Sequence, residues 1–84
     1  MTSSAPASVA PIDQTFPMVG GTAAFRFSPE GVTLLYAVPN PGYQAEVEPE
    51  GTGMKAEFEG AGGKYRVDVW WADGPQHEIR VDND

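Results

Sequence analysis

The sequence predicts an all-β domain: a small antiparallel β-sandwich of about six strands, mostly hairpin-connected, behind a disordered N-terminal arm. Three observations lead there. Apolar and polar side chains alternate with period two from about Thr22 onward. Five clusters of turn-forming residues interrupt that alternation, at Ser28–Gly31, Pro39–Gly42, Pro49–Gly53, Gly60–Gly63 and Asp73–Pro75. No window carries the i, i+3, i+4, i+7 stripe of an amphipathic helix. Ten glycines and eight prolines in 84 residues suit a chain that turns often.

Residues 1–19 read as an arm or linker and residues 20–84 as the folded domain. The first sixteen residues are MTSSAPASVAPIDQTF, where Pro6 and Pro11 oppose a helix. The segment has little apolar surface to offset the entropy of ordering. From there the five breaks set strands near 22–28, 31–38, 43–49, 53–59, 64–72 and 76–82. One face gathers Phe25, Phe27, Val32, Leu34, Tyr36, Tyr43, Ala45, Val47, Met54, Ala56, Phe58, Tyr65, Val67, Val69, Trp71, Ile79 and Val81. The other gathers Arg26 and nearly all the remaining charged side chains of the strands. Such a division belongs to antiparallel sheet with one dry and one wet face.

Register follows from closing each hairpin. Setting Glu59 opposite Lys64 makes Glu57–Arg66 and Lys55–Asp68 opposite in sign, and Phe58–Tyr65, Ala56–Val67 and Met54–Val69 apolar. The same exercise on the last hairpin sets Trp71 against His77, Val69 against Ile79 and Val67 against Val81. It also pairs Asp68 with Arg80 and Arg66 with Asp82. The first hairpin pairs Phe27–Val32, Phe25–Leu34 and Ala23–Tyr36. One apolar sheet face cannot bury itself, so the sheet has to fold over into a sandwich or a partly closed barrel.

Composition excludes several functions. No cysteine is present, so disulfides, thiol nucleophiles and Cys-ligated metals are ruled out. Five basic and twelve acidic side chains give a net charge of −7, which disfavours nucleic acid and anionic lipid as partners. No apolar run has transmembrane length, so direct membrane insertion by this chain is not expected.

Few residues offer chemistry. His77 is the one imidazole and reads as a strand-end residue packed against Trp71; no second His or Cys could complete a zinc site with it. A triad with Ser28 or a tail serine has no support in the spacing. Pairing Val47 with Ala56 sets Glu48 against Lys55 and Glu46 against Glu57. Two facing carboxylates could hold Ca²⁺, or form a solvated face softened by Arg66. Asp82-Asn83-Asp84 opens like a calcium loop but lacks its glycine and bidentate glutamate. Parity turns Trp71 inward and Trp70 outward, near Leu35 and Ala37 if the sheet closes that way. A large aromatic on a wet face marks a contact surface, unless Phe16, Met18 and Val19 cover it.

The run GGTAAFRF, then VTLLYAVPNPGYQAEVEP, the acidic-alternating EFEG and the closing VDVWWADGPQHEIRVDND together resemble a small β domain of actinobacterial envelope proteins. The resemblance spans residues 20–84 and includes no catalytic motif. In that domain a cysteine stands where this chain has Phe27 and another where it has Trp71, joining the first strand to the fifth. Here an aromatic contact would replace the disulfide. The resemblance implies an extracytoplasmic module on a Ser/Ala/Pro tether, secreted or membrane-anchored in its full-length context, and implies no activity. The expectation is therefore a non-catalytic interaction or surface-presenting module without cofactor, a monomer or weak homo-oligomer with a protein or glycan partner. Trp70, Leu35, Glu46 and Glu57 are its candidate contact residues. The alternatives are a cell-wall glycan-binding module and a calcium-binding β domain.

Overall fold

A computed structural model of the chain describes residues 10–82. The strands are β1 (Ile12–Met18), β2 (Gly21–Ser28), β3 (Gly31–Pro39), β4 (Tyr43–Glu50), β5 (Gly53–Gly60), β6 (Gly63–Trp71) and β7 (Pro75–Asp82). They form two antiparallel sheets in simple sequence order, β1-β2-β3 and β4-β5-β6-β7, and the described residues contain no helix. The expected all-β sandwich is therefore the observed architecture, with one strand more than the alternation alone revealed.

The extra strand is β1, and it corrects the boundary of the arm. Residues 12–18 pair along their full length with β2, from Ile12–Phe27 to Met18–Gly21. Alternation exists there, in Ile12, Gln14, Phe16 and Met18, but it is short and holds a polar member. Pro17 also argues against a strand, because it cannot donate to a ladder. At the edge of a sheet that missing N–H costs little. The first nine residues of the expected arm lie outside the described residues.

The core forms between the sheets. Phe16, Ala23, Phe25, Phe27 and Val32 pack from the first sheet against Ala56, Phe58, Val67 and Val69 of the second. Met18, Ala37, Tyr43, Val47, Met54 and Trp71 close its margins. Phe16 is the hub of the aromatic cluster, 6.1 Å from Phe25 and 6.4 Å from Phe27 between ring centroids. The ring that meets Phe27 is thus Phe16, with Trp71 packed at the margin of the same core. β1 thus adds a third ring, Phe16, to the place where the resemblance sets Phe27 and Trp71.

The chain crosses between sheets once, at Asn40-Pro41-Gly42. Asn40 ties this corner to the β1–β2 turn: its backbone N–H donates to Gly20 O at 2.9 Å, and its side-chain Nδ2 donates to Val19 O at 2.9 Å. Tyr43 N–H then donates to Asn40 O at 3.0 Å. At the opposite end Val32 N–H donates to Thr52 O at 2.9 Å and ties the sheets together again. The β3–β4 side of the sandwich is therefore closed by covalent chain and backbone bonds.

Register agrees with expectation in β5–β6, where every anticipated pair occurs, from Met54–Val69 to Glu59–Lys64. In β4–β5 Val47 does face Ala56 and Glu46 faces Glu57. Two hairpins depart. In β2–β3 a bulge between Ala24 and Phe25 leaves Phe27–Val32 and Phe25–Leu34 in place but moves Tyr36 opposite Ala24. Ala37 turns to the core in its stead, and Tyr36 is exposed. An extra residue on one strand reverses parity beyond it, which alternation counted from one end cannot detect.

In β6–β7 the pairing sits two residues from the expected register: Trp71 faces Pro75, Val69 faces His77, Val67 faces Ile79 and Tyr65 faces Val81. A shift of two preserves the faces but changes every partner. Asp68 now faces Glu78 and Arg66 faces Arg80. The turn explains the shift. Asp73 adopts φ 58° and Gly74 φ 132°, conformations that let three residues reverse the chain, and Ala72 N–H donates to Gly74 O at 2.9 Å. Closing the hairpin in three residues outweighs a few exposed charge pairs worth about 0.2–1 kcal/mol each.

Candidate functional site

The outer face of the four-stranded sheet is a grid of polar side chains. Its rows, read from β4 to β7, are Glu50–Gly53–Trp70–Gln76, Glu48–Lys55–Asp68–Glu78, Glu46–Glu57–Arg66–Arg80 and Gln44–Glu59–Lys64–Asp82. Period-two alternation places these residues outward, and the sheet register aligns them. Trp70 is the single aromatic among them, 38% exposed. It stands beside Gly53, whose missing side chain leaves room: a Cβ there would collide with Val69 O and come within 3.1 Å of Trp70 Cβ. Trp71 points into the sandwich, as parity requires.

Ion pairs organise the grid. Lys55 Nζ lies 3.4 Å from Glu48 Oε1, and Lys64 Nζ lies 3.8 Å from Glu57 Oε2. Arg66 spans two acids, with Nε 3.0 Å from Asp68 Oδ1 and Nη2 3.3 Å from Glu50 Oε2. Arg80 Nη2 lies 3.3 Å from Glu78 Oε1 on its own strand. The hydrogen bond to Asp68, with the charges of Asp68, Glu50 and Glu57, holds the Arg66 guanidinium above its ordinary value. Asp68 is the one buried charged residue among those described, and Arg66 satisfies it; no buried side-chain polar atom among them lacks a partner.

On the other sheet Arg26 Nε donates to Asp13 Oδ1 at 2.8 Å and Nη2 to Asp13 Oδ2 at 3.1 Å. This fork clamps β1 to β2 from outside. The same hydrogen bond draws the Asp13 carboxyl below its ordinary value and raises the Arg26 guanidinium.

The candidate residues separate into two groups. Trp70, Glu46 and Glu57 share the outer face of the four-stranded sheet. Glu46 and Glu57 are cross-strand neighbours; Lys64 Nζ makes the ion pair to Glu57, and the charge of Arg66 stands beside it on the next strand. Leu35 lies in the bulged region of β3, in the other sheet from Trp70. Phe16 and Met18 pack into the core and do not cover Trp70; Val19 is exposed. His77 faces Val69 across the ladder, and its ring centroid lies 4.9 Å from that of Phe16 on the other sheet, a partner the sequence did not suggest. Among the described residues no group of three or more His, Asp or Glu is arranged to hold a metal ion. Asn83 and Asp84 of the calcium-like tripeptide lie outside them. Sequence reasoning did not anticipate the apolar side chains left exposed on β7, Ile79 and Val81; no local signal separates an edge strand from a central one.

Compared with protein-family models, curated proteins and solved structures, the chain matches none.

Proposed function

We propose that this domain is a non-catalytic interaction module of the extracytoplasmic space, and that Trp70 anchors its contact surface. The exposure of the Trp70 indole on an otherwise charged sheet face carries this reading. Exposed aromatics anchor interfaces because they offer large apolar area with few rotatable bonds. The neighbours of Trp70 suit that role: Gly53 puts no side chain beside it, and Glu50 and Gln76 supply polar groups in the same row. The extracytoplasmic setting is supported by the resemblance across residues 20–84 and by the Ser/Ala/Pro composition of the arm.

Trp70→Ala is the test. The variant should keep the melting temperature of the parent to within a few degrees, because a half-exposed outer side chain contributes little to the core. It should lose retention of envelope proteins on the immobilised domain. Collapse of the fold, or retention unchanged, would show that Trp70 serves the sheet instead.

A second reading, binding of a cell-wall glycan, is favoured by the same exposed indole standing in one row with the polar side chains of Gln76 and Glu50. Titrating cell-wall glycan fragments while following tryptophan fluorescence separates the two, with Trp70→Ala as the control that silences the responding ring and leaves Trp71.

A further inference from the structure

β3, like β7, exposes apolar side chains, but its ends are tied to the other sheet through Asn40 and Thr52; β7 is the apolar edge on the open side of the sandwich. Its inward side chains Ile79 and Val81 are 45% and 54% exposed, although they extend rows that are buried on β6 at Val67 and Tyr65. Its outward charges face like charges on β6, Glu78 against Asp68 and Arg80 against Arg66. Its proline stands at its first position, Pro75. By contrast β4 is guarded by Pro49 and by an outward ladder of Glu46, Glu48 and Glu50, and β1 contains Pro17.

We propose that β7 is the contact of a homodimer. A second copy adds its own β7 antiparallel, about a twofold axis through Ile79, and the two four-stranded sheets become one continuous sheet.

Self-complementarity identifies the second copy as the occupant. Centring on Ile79 sets Ile79 against the partner's Ile79 and His77 against the partner's Val81. On the outer face Glu78 meets the partner's Arg80, and Arg80 meets the partner's Glu78. Each charge that faces its own sign on β6 thereby faces the opposite sign on its other flank. A centre at Glu78 or Arg80 would instead set a charge against itself. The inner face gains an apolar row from Val67 through both Ile79 side chains to the partner's Val67.

The backbone is compatible with this register. The two-residue loop Ala61-Gly62 closes on Gly60–Gly63, and ladder bonds alternate along antiparallel strands from such a closing pair. Counting across β6 turns the N–H and C=O groups of His77, Ile79 and Val81 to the free edge. A twofold pairing at Ile79 matches those three positions with one another. Pro75 shares their parity and turns its missing N–H to the same edge, so the paired stretch runs from His77 to Val81.

Sedimentation velocity on the full 84-residue chain, from about 1 µM to about 1 mM, tests the proposal. The parent should show a monomer–dimer equilibrium that saturates at the dimer. Glu78→Arg alone and Arg80→Glu alone each turn two attractive contacts into two repulsive ones, and each should weaken the dimer on the order of tenfold. At a concentration where the parent is monomeric, neither should lower the melting temperature, because each places opposite charges across β6–β7. The double swap, Glu78→Arg with Arg80→Glu, should restore the dimer. Ile79→Lys, at a side chain already half in water, gives a second monomeric variant should a single swap fail to fold. A chain that stays monomeric throughout would leave the edge to a strand of another protein and overturn the proposal. So would mass growing beyond the dimer, single swaps without effect, or a double swap that does not restore association.

Discussion

The β5–β6 and β6–β7 hairpins share a strand and yet obtain their register in different ways. In β5–β6 the turn, the apolar pairs and the charge pairs all favour one alignment, with Phe58 against Tyr65 inside and Glu59 against Lys64 outside. In β6–β7 they conflict. The three-residue turn through Asp73 and Gly74 selects an alignment that puts Asp68 beside Glu78 and Arg66 beside Arg80. The apolar face is indifferent, because a two-residue shift keeps every side chain on its face. The charges then find partners along their own strands, Arg66 with Asp68 and Arg80 with Glu78. Exposed charge pairs report on register only where nothing stronger disagrees.

The hairpins should also differ in what they contribute to stability. Phe58 is fully buried, and Phe58→Ala should cost about 3–5 kcal/mol in urea denaturation. Ile79→Ala, at a position already half in water, should cost about 1 kcal/mol or less at a concentration where the chain is monomeric. Equal losses would mean that β7 belongs to the core as fully as β5 does.

Gly74→Ala is aimed at the turn itself. Gly74 holds φ 132° with open space around it, so an added methyl meets no neighbour and the penalty is purely conformational, about 1–3 kcal/mol. Amide exchange should quicken along β7 while Phe58 and Val67 remain protected. Uniform loss of protection would show that the last hairpin does not open independently.

The smallest effect belongs to the other sheet. Asp13 titrates below its ordinary value through Arg26, so its contribution to holding β1 is complete above the ordinary carboxylate value. It is lost as pH falls through the lower folded value. Amide exchange of β1 should therefore quicken on that acid limb, and Asp13→Asn should remove this part of the pH dependence. Persistence of the limb in the variant would assign it to another carboxylate.

Much of the fold was legible because period-two alternation is a one-dimensional record of a two-faced sheet. Parity alone turned Trp71 in and Trp70 out, and Val47 opposite Ala56 brought Glu46 to Glu57. The candidate surface was legible to the same extent and for the same reason, since it is one face of four consecutive strands. That Leu35 and Trp70 stand in different sheets was not legible, because parity says nothing about which sheet a strand joins. Tyr36 was misplaced because a bulge is a local insertion of one residue with no compositional mark. The strand Ile12–Met18 was hidden by Pro17, which is acceptable only because β1 proved to be an edge.

The sequence by itself determined the strands after Thr22, the two faces and the alignment of the hairpin whose cues agree, since each is a matter of neighbours within a few residues. Only the tertiary structure decided which strands became edges, that Phe16 fills the space between the sheets, and that Ile79 and Val81 stand uncovered. Those outcomes depend on which layer lies over which, and burial is a property of the packed pair of sheets, not of any one strand.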